Sequence, residues 1–180
     1  HDQSSAASDV YKRQDLYGVR FVGSRAYLVT FERTDPLYTI DLSDPTDPHI
    51  VGALEVTGFS NFLHPVSDDL LLGLGQSEDS DVKLELFDIS DFDAPRSQGV
   101  LTLGSDLAWS ISTAEYDRHA FSYLAGDTTD RFTIPLSGYS GGANSAWLER
   151  LQLLEIRNKN QAATASVSYT HLTLPTTDRG

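Results

Sequence analysis

The sequence predicts an all-β protein assembled from repeats of one antiparallel sheet unit. Three observations carry that prediction. Apolar residues recur at every second position over short runs such as LYTIDL and LELFDI, the period of a strand with one buried face. The stretch LYTIDLSDPTDPHIVGALEV (37–56) lies without a gap over LELFDISDFDAPRSQGVLTL (84–103). Both copies leave the strand through the same Asp-x-Ser-Asp turn.

In chain order, Ala26–Phe31 (AYLVTF), Leu37–Asp41 and Ile50–Val56 are expected as strands, rich in Val, Ile, Leu, Tyr and Phe. Asn61–Val66, Leu70–Gly75, Val82–Ile89 and Gln98–Leu103 form the next set. Ala108–Ser112, His119–Leu124, Arg131–Leu136 and Leu148–Arg157 complete it. Helical periodicity is poor throughout. The one tempting helix is Ala146–Ile156, where Leu151, Leu153 and Ile156 serve a strand equally well. LQLLEI (151–156) reads as a worn third copy, with Leu151 in the place of Leu84 and Glu155 in that of Asp88. A polar, glycine-rich insertion, Ser137–Ser145, delays it.

The turn has a physical logic. With Leu37 on Leu84, an offset of 47 residues, Asp41 falls on Asp88, Ser43 on Ser90, Asp44 on Asp91 and Pro48 on Pro95. Aspartate and serine side chains in such turns accept hydrogen bonds from amides two residues on. Pro45 fixes its φ and stops the strand from continuing. Pro48 and Pro95 lack a donor and suit the start of the next strand. The motif is therefore expected to end one strand and send the chain back antiparallel. A strand-type repeat of 40 to 50 residues is the period of propeller blades. The expectation is an incomplete ring of about three four-stranded antiparallel blades.

At these residues the chain resembles the LVIVD-type repeat: strand, Asp-[Val/Ile/Leu]-Ser-Asp-Pro, a short spacer, Pro, then Val-Gly. Phe92 stands where that repeat prefers proline. More broadly, VRFVGSRAYLVTFERTDPLYTIDLSDP (19–45), GFSNFLHPVSDDLLLGLGQ (58–76), VKLELFDISD (82–91) and EYDRHAFSY (115–123), followed by RFTIPLSGY, resemble one known domain. It is the C-terminal β-propeller domain of secreted bacterial and archaeal proteins, distantly related to WD40 propellers. The resemblance implies an extracytoplasmic, envelope or cell-surface module and brings no catalytic residues. It implies an unknown protein or surface ligand as partner, and the missing blades of the same ring.

The two ends read differently. Residues 4–14 (SSAASDVYKRQ) and 167–177 (VSYTHLTLPTT) resemble a translated sequencing-adapter segment and its reverse complement. On this reading residues 1–14 and 167–180 are not native, 15–166 is the natural domain, and the chain is a fragment of a longer gene.

Composition narrows the function classes. The net charge of −13 disfavours a phosphate backbone as partner. No apolar run approaches the roughly 20 residues of a membrane helix. With no cysteine, disulfides, zinc-thiolate sites and thiol catalysis are excluded for this chain. The G-x-S-x-G in GYSGG (138–142), with Asp117 and His119 as recruitable partners, matches a hydrolase elbow only as a string. It sits among strands in a Gly/Ser/Asn-rich stretch expected to be a loop, and His119 and His64 read as structural. Calcium is the one cofactor with a foothold, because hard cations want several converging oxygens. Asp41, Asp44 and Asp47, then Asp88, Asp91 and Asp93, and the loop acids Glu78, Asp79 and Asp81 offer them. The favoured duty of Asp41, Ser43, Asp44, Pro45, Asp88, Ser90, Asp91 and Pro95 is the turn itself. The aromatic set Phe21, Tyr27, Phe31, Tyr38, Phe59, Phe62, Phe87, Trp109, Phe121 and Phe132 is expected between blades. The reading is a non-enzymatic binding or scaffold module. A lactonase-like hydrolase with a metal in the ring channel and a calcium-stabilised adhesion module are the alternatives.

Overall fold

The computed structural model describes residues 15–31, 35–142 and 145–170. Three antiparallel sheets follow one another along the chain. The first holds β1 (Asp15–Val22), β2 (Arg25–Phe31), β3 (Asp35–Asp41) and β4 (His49–Val56). The second holds β5 (Phe59–Ser67), β6 (Leu70–Gln76), β7 (Val82–Asp88) and β8 (Arg96–Leu103). In the third, β11 (Thr129–Ser140), β12 (Trp147–Arg157) and β13 (Ser166–Thr170) follow an inner edge shared by β9 (Leu107–Ile111) and β10 (Ser122–Leu124). The first two sheets are simple meanders, and in the third β9 and β10 both pair with β11 ahead of β12 and β13. Between the first two sheets the first strands, β1 and β5, approach one another far more closely than the fourth strands, β4 and β8, so these sheets fan outward as propeller blades.

The repeat maps onto this architecture. β3, β7 and β12 are each third in their blade, as expected for the three copies. Chain ends and insertions deviate. β1 was not expected as a strand, because DLYGVRFV carries little alternation. The expected strand His119–Leu124 begins only at Ser122, after two 3-10 turns, Thr113–Glu115 and Arg118–Ala120. Ser137–Ser140, expected to belong to a loop insertion, are the end of β11 and pair on both sides. β13 draws Val167–Thr170 from the C-terminal segment set apart above.

The split inner edge has a cause on β11. β9 pairs with Ser137–Ser140 and β10 with Arg131–Thr133, so 134–136 have no described partner on that side. Pro135 lies there, and a residue without N–H is tolerated in a central strand only where no ladder bond is lost. The bypassing residues 112–121 close on themselves. Ser112 and Glu115 form a capping box, with Ala114 N–H donating to Ser112 Oγ at 3.3 Å and Ser112 N–H to Glu115 Oε1 at 3.0 Å.

Two seams hold the core. Between the first and second blades, Tyr27, Val29, Leu37 and Val56 meet Leu63, Leu71, Phe87 and Ile89. Between the second and third, Leu70, Leu72, Leu74, Val82, Leu84 and Leu86 meet Phe132, Ile134, Leu136, Leu154 and Ile156. Alternate residues of β6 and β7 thus serve opposite seams, and both faces of the middle blade are buried. Among the aromatics, Tyr27, Phe87 and Phe132 lie fully inside, whereas Phe21 is exposed. The Phe31 side chain is outside the described residues.

Each seam also buries a lysine–carboxylate pair. Lys83 and Glu85, 2% and 4% exposed, meet at 3.0 Å on the rearward face of β7. Lys83 Nζ also donates to the Thr57 carbonyl in the connection from the first blade, and Ser97 Oγ donates to Glu85 Oε1 at 2.6 Å. At the second seam Lys159, 14% exposed, reaches the fully buried Asp130 at 2.7 Å. Tyr123 OH and Gly126 N–H also donate to Asp130. Burial alone would raise the Asp130 carboxyl; Lys159, Tyr123 and Gly126 together hold it below its ordinary value. Lys83 and Lys159 are the only lysines between residues 15 and 166, and both are spent on seams.

Removing one partner of such a pair strands a buried charge. Lys83→Met is expected to destabilise the chain by about 3–5 kcal/mol, and Lys83→Met with Glu85→Leu to recover most of that loss. Urea unfolding of the two variants measures the difference. Equal losses in both would show that the pair contributes nothing beyond packing.

Candidate functional site

The Asp-x-Ser-Asp turns join β3 to β4 and β7 to β8. Their side chains first organise their own loops. Ser43 N–H donates to Asp41 Oδ1 at 2.7 Å, and Thr46 N–H to Asp44 Oδ1 at 2.9 Å. In the second copy, Ser90 N–H and Oγ both donate to Asp88 Oδ1, at 3.0 and 2.6 Å. The amide of Ser43 and the hydroxyl and amide of Thr46 hold the Asp41 and Asp44 carboxyls below the usual carboxylate range. Asp47 contributes its carbonyl to His49 Nδ1, Asp91 stands 3.9 Å from Arg96, and Asp81 accepts from Ser110 Oγ at 3.3 Å. Among the described residues, no group of three or more Asp, Glu or His converges as a metal site.

The second turn does more than reverse the chain. Thr39 Oγ1, on β3 of the first blade, donates to the Phe92 carbonyl at 2.6 Å. The Phe92 ring sits edge-on to Tyr27, centroids 6.1 Å apart, with the Arg25 guanidinium 4.7 Å from its centre. A Cβ added to Gly52 on β4 would come within 2.6 Å of the Asp93 carbonyl, so glycine there lets the turn approach. Phe92, the departure from the repeat's proline, is thus the side chain that clasps the preceding blade. At the second seam the clasp differs: Gln98 Nε2 donates to the Ala163 carbonyl at 2.9 Å, in the turn after β12.

A second cluster gathers at the inner edge, where three blades contribute. Arg20 comes from β1, Asn61, Phe62 and His64 from β5, and Phe121 and Tyr123 from the start of the third blade's inner edge. The His64 ring lies 4.2 Å from Tyr123 and 5.0 Å from Phe121, centroid to centroid. Burial first, then the nearby Arg20 charge, lowers the His64 pKa from 6.5 to about 4, against an opposing pull from Asp130. Arg20 Nε is shut off from solvent with no hydrogen-bond partner among the described residues. Asn61 Nδ2 donates to Glu115 Oε2 at 3.2 Å, and burial raises the Glu115 pKa.

The hydrolase string is not assembled as an elbow. Ser140 ends β11, and its Oγ accepts from Ala146 N–H at 3.0 Å across the hairpin. Asp117 and His119 pair with each other at 2.9 Å as the exposed cap of the second 3-10 turn. A hollow of about 370 Å³ opens at the first seam beside Arg25, Tyr27, Asp69 and Ser90. Another, of about 290 Å³, lies at the second seam beside Asp106, Arg150 and Tyr169.

Meander sheets set side by side, first strands together and third strands carrying the repeat, define an arc of a β-propeller. The chain belongs to the family described as the beta propeller domain, whose profile matches residues 2–176. It is 40% identical over 110 residues to an uncharacterised protein of Methanocaldococcus jannaschii, a match covering 61% of this chain and 17% of that protein. It is 47% identical over 83 residues to an uncharacterised protein of Archaeoglobus fulgidus, covering 46% and 13%. The matched stretch is therefore less than a fifth of either relative.

Sequence reasoning missed the Lys83–Glu85 pair, the Asp130 cluster and the role of Phe92. VKLELFD alternates charged and apolar residues and reads as half-solvated; only a blade behind it makes the charged face interior. Phe92→Ala is expected to lower stability by about 1–2 kcal/mol through lost aromatic and cation–π contact, measured by thermal denaturation. His64 stays neutral in the folded chain below the pH at which the unfolded chain binds a proton. Stability is therefore lost as pH falls from 6.5 towards 4. His64→Phe should flatten the melting-temperature profile in that window relative to the parent chain, and an unchanged slope would count against the assignment.

Proposed function

We propose that the chain is part of a non-enzymatic binding or scaffold module of an exported envelope or cell-surface protein. The observation that carries this reading is where its chemistry-bearing side chains are used. Lys83 and Glu85 tie the second blade to the connection from the first, Lys159 and Asp130 brace the third blade internally, the turn aspartates cap their own amides, and Glu115 caps a 3-10 turn. What the blades present outward are loops and edges, the parts of such scaffolds that serve recognition. The extracytoplasmic location rests on the family resemblance, and propeller scaffolds carry many functions.

The hydrolase alternative gives a contrasting outcome. In the full-length protein, Ser140→Ala and His119→Ala are expected to leave any ester or lactone hydrolysis at the parent rate. A loss of turnover of a hundredfold or so, the scale of a removed catalytic group, would overturn the reading. Fractionation of the host cell should place the full-length protein in the envelope or medium. The melting temperature should not respond to millimolar calcium; a rise would favour the adhesion reading.

A further inference from the structure

Two tight hairpins wall the hollow at the first seam. β1 turns into β2 through Gly23 and Ser24, with Val22 paired to Arg25. β5 turns into β6 through Asp68 and Asp69, with Ser67 paired to Leu70. Each hairpin is tied to the strand exit beside it. Leu42 N–H donates to the Ser24 carbonyl at 2.8 Å, and Ile89 N–H to the Asp69 carbonyl at 2.9 Å. The walls are therefore set in advance, which lowers the ordering cost of binding. The space between them, about 370 Å³, has the buried Tyr27 and Ile89 as its floor, with Pro65 beside them. That is the small end of the range for ligand pockets.

Arg25 breaks the repeat at this place. By alternation it faces the seam with Tyr27, at the hairpin position that the fully buried Leu70 fills in the second blade. The Phe92 ring holds its guanidinium from one side. Asp69 stands on the opposite wall. Arg25 and Asp69 form no ion pair with each other, yet both act on the Tyr27 hydroxyl. Burial raises the Tyr27 pKa, Arg25 pulls it down and Asp69 pushes it up. Opposite charges thus flank one buried hydroxyl with a gap between them. Neighbouring polar groups are already occupied. Ser90 Oγ donates to Asp88, Ser67 Oγ to the Lys159 carbonyl, and Asp41, across from Arg25 on β3, accepts from the Ser43 amide.

We propose that this hollow binds a small zwitterion of the α-amino-acid class. Its carboxylate lies on Arg25, its ammonium on Asp69, and an apolar side chain on Ile89 and Pro65. The planar fork of arginine suits a carboxylate, which it can hold through two parallel hydrogen bonds. A lone anion would meet Asp68 and Asp69, and a lone cation would meet Arg25, so a ligand with both charges satisfies both walls. This assignment rests on the binding-module reading and gives it a ligand class.

The test is an NMR titration of the isotope-labelled chain with L-valine, 3-methylbutyrate and isobutylamine. The last two are valine without its ammonium and valine without its carboxylate. Valine is expected to bind about tenfold more tightly than either, the scale of one charge-assisted hydrogen bond, and to shift the amides of both hairpins. Arg25→Gln should lower valine affinity towards that of isobutylamine and leave isobutylamine binding no weaker. Asp69→Asn should lower it towards that of 3-methylbutyrate and leave 3-methylbutyrate binding no weaker. No valine binding, or equal binding of all three compounds, would overturn the proposal. So would loss of both valine and the half-ligand in a variant with unchanged far-UV circular dichroism. Such a failure would leave the scaffold reading standing, since that depends on the turnover and fractionation measurements above.

Discussion

A four-stranded sheet that is apolar on both faces can be stable only between two others, and this constraint organises the molecule. The middle blade shows it most fully. Leu70, Leu72, Leu74, Leu84 and Leu86 look forward, while Leu71, Phe87 and Ile89 look back. Each fully buried leucine removes roughly 1.5–3 kcal/mol of apolar exposure, so neither face tolerates water. The unit of stability is therefore the seam, as in other repeat architectures where neighbours bury one another's faces.

The seams carry polar chemistry that would be costly without partners. Lys83 with Glu85 and Lys159 with Asp130 lie in surroundings where a lone charge would be destabilising. Lys83 also donates to the Thr57 carbonyl in the connection from the first blade, which ties that pair to the register of two sheets, whereas Tyr123, Gly126 and Lys159 hold Asp130 within the third blade. The Phe92 clasp adds a directional contact at the periphery, with Thr39 as its hydrogen-bond donor. An acidic turn that looks like surface chemistry is in this way half of an inter-blade joint.

The inner edge belongs to the same pattern with two exceptions. His64, Phe62, Phe121 and Tyr123 pack across the second seam, and Tyr123 ties that packing to Asp130. The exceptions are Arg20 and Ser60, whose buried Nε and Oγ no described group satisfies. The interruption of the third blade's inner strand is local in origin, because Pro135 removes a donor and residues 112–121 loop around the gap.

Fold class, strand positions and the reversing turn were legible in the sequence, because each is a short-range property. Alternation reports which residues share a face, and Asp41, Ser43, Asp88 and Ser90 act on amides two residues away. The equivalence of β3, β7 and β12 followed from the same local pattern. What a face meets is a long-range property. Alternation could not tell that Lys83 and Glu85 face another blade instead of water, nor that Phe92 reaches Tyr27 from a different sheet. It could not tell that Trp109, expected between blades, closes with Tyr139 and Trp147 into one half-exposed aromatic cluster. Those assignments came only with the sheets set side by side, since burial depends on neighbours far away in the chain.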